Sequence, residues 1–227
     1  HQQTERAAQI VGDYFAAASD EAAIEKRGWQ PLEPDLKEVA EAKDKVAFAA
    51  VVGAFHGRGN EPFFGWYVDA DERHSERYAM HLVQGGLTLP ERGYYLDESF
   101  AEVRVKYVAH IEKMLQLAGD DETKAKAEAA VVMRLETSLA KASKPAEELN
   151  DTEKNYHAMP RTQLAELAPG FDWAGYWKAI NVQPEGIIVA QPEFLTAMTK
   201  LFDETSLDDL KTYVRWSLIT GAAGHLH

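Results

Sequence analysis

Gln84-Gly85-Gly86-Leu87-Thr88-Leu89-Pro90-Glu91-Arg92-Gly93-Tyr94-Tyr95 stands where one hydrophobic rhythm gives way to another. Gly85 and Gly86 permit positive φ, Pro90 fixes its own φ and biases Leu89 towards an extended conformation, and Gly93 allows another sharp turn. Leu87, Leu89, Tyr94 and Tyr95 are too apolar for a solvated loop and require burial. The stretch therefore reads as a structured joint that holds two parts of a fold in register.

On its N-terminal side lie Phe63-Phe64-Gly65-Trp66-Tyr67-Val68 and Tyr78-Ala79-Met80-His81-Leu82-Val83, aromatic and β-branched runs of strand length around a polar loop. They predict a hairpin over about 62–84, with Phe64, Trp66 and Val68 sharing a face with Tyr78, Met80 and Leu82. On its C-terminal side, Ser99-x-x-Glu102 has the form of a capping box. Phe100, Val103, Tyr107, Ile111, Met114, Leu115 and Ala118 follow at helical spacing and stop at Gly119. A second long helix is expected from Asp121 to Ala142, with Ala125, Val132, Leu135 and Leu139 inward and Glu136 on the polar side. The short connection predicts antiparallel packing of the pair.

Further out, residues 4–27 read as one helix, with Ile10, Val11, Tyr14, Phe15 and Ala18 at helical spacing. A second runs from Asp35 to about Phe55, with Val46 among its inward positions. Breakers dominate 143–170. Trp173, Tyr176 and Trp177 mark a short aromatic helix, Ile187-Ile188-Val189 a brief strand, and Pro192 opens another helix. A Ser206 cap starts the last one. The fold class expected is mainly α with a small β-hairpin: a multi-helical lobe with long antiparallel helices, residues 1–227 forming a single unit. Both ends of the sequence fall close to helical pattern, as in a piece of a longer polypeptide.

Composition narrows the chemistry. Of 227 residues, 45% are hydrophobic and 27% charged, as in ordinary globular proteins. A formal charge of −13 argues against a nucleic-acid partner, which needs clustered Lys and Arg. The absence of cysteine excludes disulfides, thiolate catalysis and Cys-ligated zinc in this stretch. No apolar run approaches the ~20 residues of a membrane span.

No His-Glu-x-x-His is present. His74, Glu76 and His81 lack ligand spacing on one element, and His225 and His227 read as a terminus. Glu147-Glu148 reads as a solvated charge run, and Trp173, Tyr176 and Trp177 as core rather than groove. No nucleophile elbow, phosphate loop or dinucleotide fingerprint occurs. From the residues alone, no metal site and no catalytic residue is assigned.

The joint Gly86-Leu87-Thr88-Leu89-Pro90-Glu91-Arg92-Gly93-Tyr94-Tyr95 resembles the neprilysin and endothelin-converting-enzyme family of zinc metallopeptidases. So, in matching order, do Tyr14-Phe15, Asp20 to Glu25, Gly28 with Pro31-Leu32, and Val68-Asp69-Ala70-Asp71. Glu136 with Leu139-Ala140, Asn155-Tyr156 with Met159, and Leu210 with Tyr213 and Trp216 complete the series. The resemblance implies the N-terminal helical lobe, bacterial in type, of a two-lobed zinc endopeptidase. Its partner would be a C-terminal thermolysin-like catalytic lobe carrying the zinc and the catalytic residues. This lobe would cap a chamber that admits small peptides, with zinc in the full-length enzyme and none bound by this stretch. Family habit points to the periplasm or secretion. Arg92, Tyr94 and Tyr95 are the residues available to line the interlobe cavity; the competing assignment is a buried Arg and Tyr pair that fixes the joint. The alternative function is a stand-alone, non-catalytic helical module that binds peptide or protein.

Overall fold

The computed structural model describes residues 2–225, with side chains from Glu5 to Gly224. His227 and the side chain of His225 lie outside the described residues. Helices α1 (Gln2–Ala18), α2 (Glu21–Arg27), α3 (Glu33–Glu41) and α4 (Lys45–Gly57) lead into a hairpin of β1 (Phe64–Asp71) and β2 (His74–Gln84). The joint is followed by α5 (Gly93–Leu96), α6 (Ala101–Leu117) and α7 (Glu122–Ala142). Then come α8 (Ala146–Leu149), β3 (Ala158–Pro160), α9 (Leu164–Leu167), α10 (Trp173–Ile180), β4 (Gly186–Val189), α11 (Pro192–Glu204) and α12 (Leu207–Ala222). The protein is mainly α with a small β element.

The hairpin pairs Phe64 with Gln84, Trp66 with Leu82 and Val68 with Met80, so the two aromatic runs share one face as the alternation requires. It is not alone, however. β4 lies parallel to β2 and antiparallel to β3, giving the strand order β1-β2-β4-β3. β3 carries Pro160 and was not read as a strand; as an edge strand it tolerates the missing N–H.

Two apolar clusters fill the interior. One packs Phe48, Val52 and Phe55 of α4, Phe63, Phe64 and Leu82 of the hairpin, Tyr176 and Trp177 of α10, and Phe194 and Phe202 of α11. Trp173, Tyr176 and Trp177 are core residues there, 4%, 0% and 4% exposed. Each fully buried Phe contributes roughly 1.5–3 kcal/mol of transfer free energy. Gly53 lets α4 approach α10, since a Cβ would stand 2.6 Å from the Tyr176 carbonyl oxygen. The other cluster joins α6 and α7 through Tyr107, Ile111, Leu115, Ala125, Ala129 and Val132, together with Trp216 and Ile219 of α12. Leu87 packs against both clusters, which places the joint between them.

Four local expectations are corrected. The helix expected over 4–27 breaks at Ser19, because Asp20 caps a new helix by accepting from the Ala23 N–H at 3.0 Å. Asp44 does the same at Ala47, 2.8 Å, and splits the second helix into α3 and α4. Val46, in the first turn of α4, is exposed rather than inward. Ser99 lies within a 3-10 turn, so the expected capping box does not form, and α6 starts from Phe100 with no side-chain cap. Ser206 caps α12 as expected, accepting from Asp209 N–H at 3.2 Å.

Candidate functional site

The joint is tied down by one carboxylate. Glu136 was expected on the polar side of α7, yet it is 1% exposed and lies among Val132, Leu135 and Leu139. Its Oε1 accepts from the Thr88 hydroxyl at 2.7 Å. Its Oε2 accepts from the hydroxyls of Tyr95 at 2.8 Å and Tyr107 at 2.7 Å. The Trp216 indole N–H donates to Tyr107 at 3.1 Å and to Thr88 at 3.2 Å, and the Leu89 N–H donates to Tyr95 at 2.9 Å. Every donor on the carboxylate is neutral. Burial pushes the Glu136 carboxyl above its ordinary value, against the downward pull of Thr88, Tyr107 and Tyr95. Burial, and next the charge of Glu136, raise the hydroxyls of Tyr95 and Tyr107 as well, so both stay protonated donors.

The other end of the joint is anchored from α12. The Tyr213 hydroxyl donates to the Gly86 carbonyl at 2.7 Å and accepts from the Phe63 N–H at 3.3 Å. Gly86 has φ +77°, and a Cβ there would stand 2.8 Å from Phe63 Cα. Phe63 itself is held at φ +72°, a conformation costly for an aromatic residue, by the packing of Tyr213 and Phe202 around its ring. Gly93, expected to make a sharp turn, instead begins α5.

Arg92, Tyr94 and Tyr95 therefore occupy three different environments. Tyr95 is buried on Glu136. Arg92 is partly exposed and donates from Nε to the Ala140 carbonyl at 3.3 Å, one turn along α7. Tyr94 is partly exposed, with its ring stacked on Phe100 at 4.1 Å. Sequence reasoning missed Thr88, Tyr107, Tyr213 and Trp216 as members of this network. Its one available signal was Glu136 standing four residues after Val132, inside the apolar stripe.

Two further features bear on chemistry. A groove of about 580 Å³ runs between the outer part of the hairpin (Val68, Tyr78, Met80) and Met159, Pro184 and Ile187. At its end Asp71, 2% exposed, accepts from the Arg73 and His74 N–H groups, the Arg77 guanidinium and the Tyr156 hydroxyl. His74 and His81 each stand 3.7 Å from a single carboxylate, Glu76 and Glu72 respectively. His56 donates from Nε2 to the Pro62 carbonyl at 3.0 Å, which leaves Nδ1 to accept from the Tyr176 hydroxyl at 2.9 Å. His81 is buried under the Tyr67 ring, 4.6 Å away. Among the described residues no three His, Asp or Glu side chains come together as a metal site.

The model of peptidase family M13, in its N-terminal part, matches residues 1–227. The chain belongs to peptidase family M13. Endothelin-converting enzyme 1 of Cavia porcellus is 30% identical over 240 residues, covering 99% of this chain and 31% of its own length. The zinc metalloprotease Zmp1 of Mycobacterium tuberculosis, solved with an inhibitor, superposes with a TM-score of 0.92 at 33% identity. That match covers 95% of this chain and 34% of Zmp1. PepO of Lactobacillus rhamnosis shares the fold, with a TM-score of 0.70 at 18% identity. The chain thus spans about a third of the length of the relatives it matches, and it corresponds to the N-terminal lobe of the M13 metallopeptidases.

Proposed function

We propose that this chain is the substrate-chamber lobe of a zinc-dependent endopeptidase that hydrolyses small peptides. The observation that carries the reading is the likeness to Zmp1 over 95% of this chain, which leaves about two thirds of that metalloprotease for the rest of the enzyme. In the complete protein a C-terminal thermolysin-like lobe would hold the zinc, and zinc would supply the polarisation of the scissile carbonyl and the activation of water. The contribution of this chain is steric and electrostatic. A rigid lobe facing the metal excludes bulk water and large substrates, and movement of the lobe as a body admits peptide.

Rigidity is where the joint matters. A lobe that excludes by size has to keep its wall in place, and the Glu136 network holds the joint against both α7 and α12. Within the joint, Tyr95 serves this bracing role, whereas Arg92 and Tyr94 keep partly exposed surface and are assigned to the chamber wall. The net charge of −13 favours entry of basic over acidic peptides.

The test is a peptidase assay with zinc on this chain alone and on this chain mixed with an M13 catalytic lobe. Activity confined to the mixture is expected. Cleavage by this chain alone would overturn the reading. Inactivity of a mixture whose two lobes are folded and associated would favour a non-catalytic peptide-binding module.

A further inference from the structure

Among the described side chains, helix α1 has none buried. Every residue from Glu5 to Ala18 is exposed, including Ile10 at 60%, Val11 at 67%, Tyr14 at 72% and Phe15 at 71%. These four lie at i, i+1, i+4 and i+5, so they form one apolar stripe rather than scattered surface residues. Of the other large exposed side chains, Tyr67, Val68 and Tyr78 lie on the hairpin, and Val46, Val105, Leu117 and Leu149 are spread over α4, α6 and α8. A helix of 17 residues with Gly12 in its middle is marginal in water on propensity alone, and packing of its apolar face is what makes such a helix stable. Among the described residues, Ile24, Arg27, Gly28 and Pro31 share a cavity with Tyr14, Ala17 and Ala18, but Ile10, Val11, Tyr14 and Phe15 all stay exposed.

The structure shows where the missing surface would come from. Gly224, just past α12, lines one cavity of about 310 Å³ together with Tyr14, Ala17 and Ala18 of α1. Polypeptide continuing from α12 therefore emerges at the foot of the stripe. The relatives are about three times as long as this chain, so polypeptide of that kind exists in them.

We infer that the segment immediately following residue 227 packs as an amphipathic helix along Ile10, Val11, Tyr14 and Phe15 and completes this lobe. The inference rests on the reading of the chain as part of a full-length family M13 peptidase. It assigns α1 to contact within the helical lobe, not to the catalytic lobe and not to a second copy.

The experiment places a benzoylphenylalanine photocrosslinker at Tyr14 of the full-length protein and maps the products by mass spectrometry. An intramolecular crosslink to the peptides that directly follow residue 227 is expected. Crosslinks to the catalytic lobe, to a second copy, or to nothing would each overturn the inference. Hydrogen exchange on the same protein gives a second reading. Amides of α1 should exchange at least about tenfold more slowly in the unmodified protein than in an Ile10→Asp/Phe15→Asp variant. Equal rates would contradict the packing. Zinc-dependent peptidase activity of the unmodified full-length protein is measured alongside. Its absence would count against the proposed function, while the crosslink would still decide the fate of α1.

Discussion

Asp71 and Glu136 are carboxylates with almost no exposed surface, 2% and 1%, and each accepts several hydrogen bonds, but Asp71 lies in a thin outer layer at the hairpin tip and Glu136 deep under the joint. Their titrations are driven in opposite directions. At Asp71 burial would raise the carboxyl, but the Arg73 N–H, the Arg77 guanidinium and the Tyr156 hydroxyl outweigh it and hold the value at about 2. At Glu136 the donors are three hydroxyls and the Thr88 backbone N–H, all neutral, and burial wins. Depth decides the sign together with the donors: Asp71 lies at the hairpin tip, where a backbone N–H and a guanidinium outweigh a shallow burial, whereas Glu136 lies deep under the joint. The hairpin tip is consequently fastened by a charged pair that weakens in acid. The joint is fastened by a buried acid that is more at ease when protonated.

The contrast can be broken first by removing Glu136. Glu136→Ala strands the hydroxyls of Thr88, Tyr95 and Tyr107 beside a new cavity and should cost about 3–5 kcal/mol. Urea unfolding checks this, and a loss below about 1 kcal/mol would show the joint to be held by packing alone.

His56 extends the rule to a base. With no counter-charge, burial lowers its value from 6.5 to about 4, the Pro62 carbonyl pulling weakly the other way. The folded value is depressed, so the contribution is fully present above about 6.5 and is lost as pH falls through about 4. Over that interval roughly 3 kcal/mol of stability should disappear, and a His56→Gln variant should show a correspondingly flatter acid limb.

Tyr107→Phe removes one donor from Glu136 and one acceptor from Trp216, for an expected loss of about 1–2 kcal/mol in the same unfolding measurement. The sign of the Glu136 effect is tested by comparing wild type with Glu136→Gln as pH rises. The raised carboxyl contributes stability fully present below its ordinary 4.5, and this is lost as pH climbs through the raised value. Wild type should therefore decline relative to Glu136→Gln with rising pH; the opposite slope would mean that the hydroxyls win over burial.

The smallest effect belongs to Arg77, whose side chain is 58% exposed and therefore screened. Arg77→Gln should move the Asp71 carboxyl upward in an NMR titration while leaving thermal stability nearly unchanged.

Much of the fold was legible because it is written locally. The aromatic alternation of 63–68 and 78–83 placed the hairpin, and the stripe from Tyr107 to Leu115 placed α6. The Gly86 and Pro90 signals identified the joint. What escaped depends on partners far along the chain. Glu136 takes its donors from 48, 41 and 29 residues away, so its place four residues after Val132 hinted at burial but could not name its partners. β4 joins β2 as its parallel neighbour across about a hundred residues of intervening chain, so the hairpin could not announce the sheet it belongs to. The breaks at Asp20 and Asp44 were readable in principle, since both aspartates are good caps, but the helical rhythm around them masked the stops.

Size selection by this lobe is best examined in the full-length enzyme. The measurement is the ratio of kcat/KM for a short peptide to that for the same cleavage sequence carried in a long unfolded polypeptide, with wild type compared with a form lacking residues 1–227. A ratio strongly favouring the short peptide in wild type, and falling towards equality without this lobe while the form still cleaves the short peptide, is expected of a chamber wall. The same ratio in both forms, each folded and active, would contradict it.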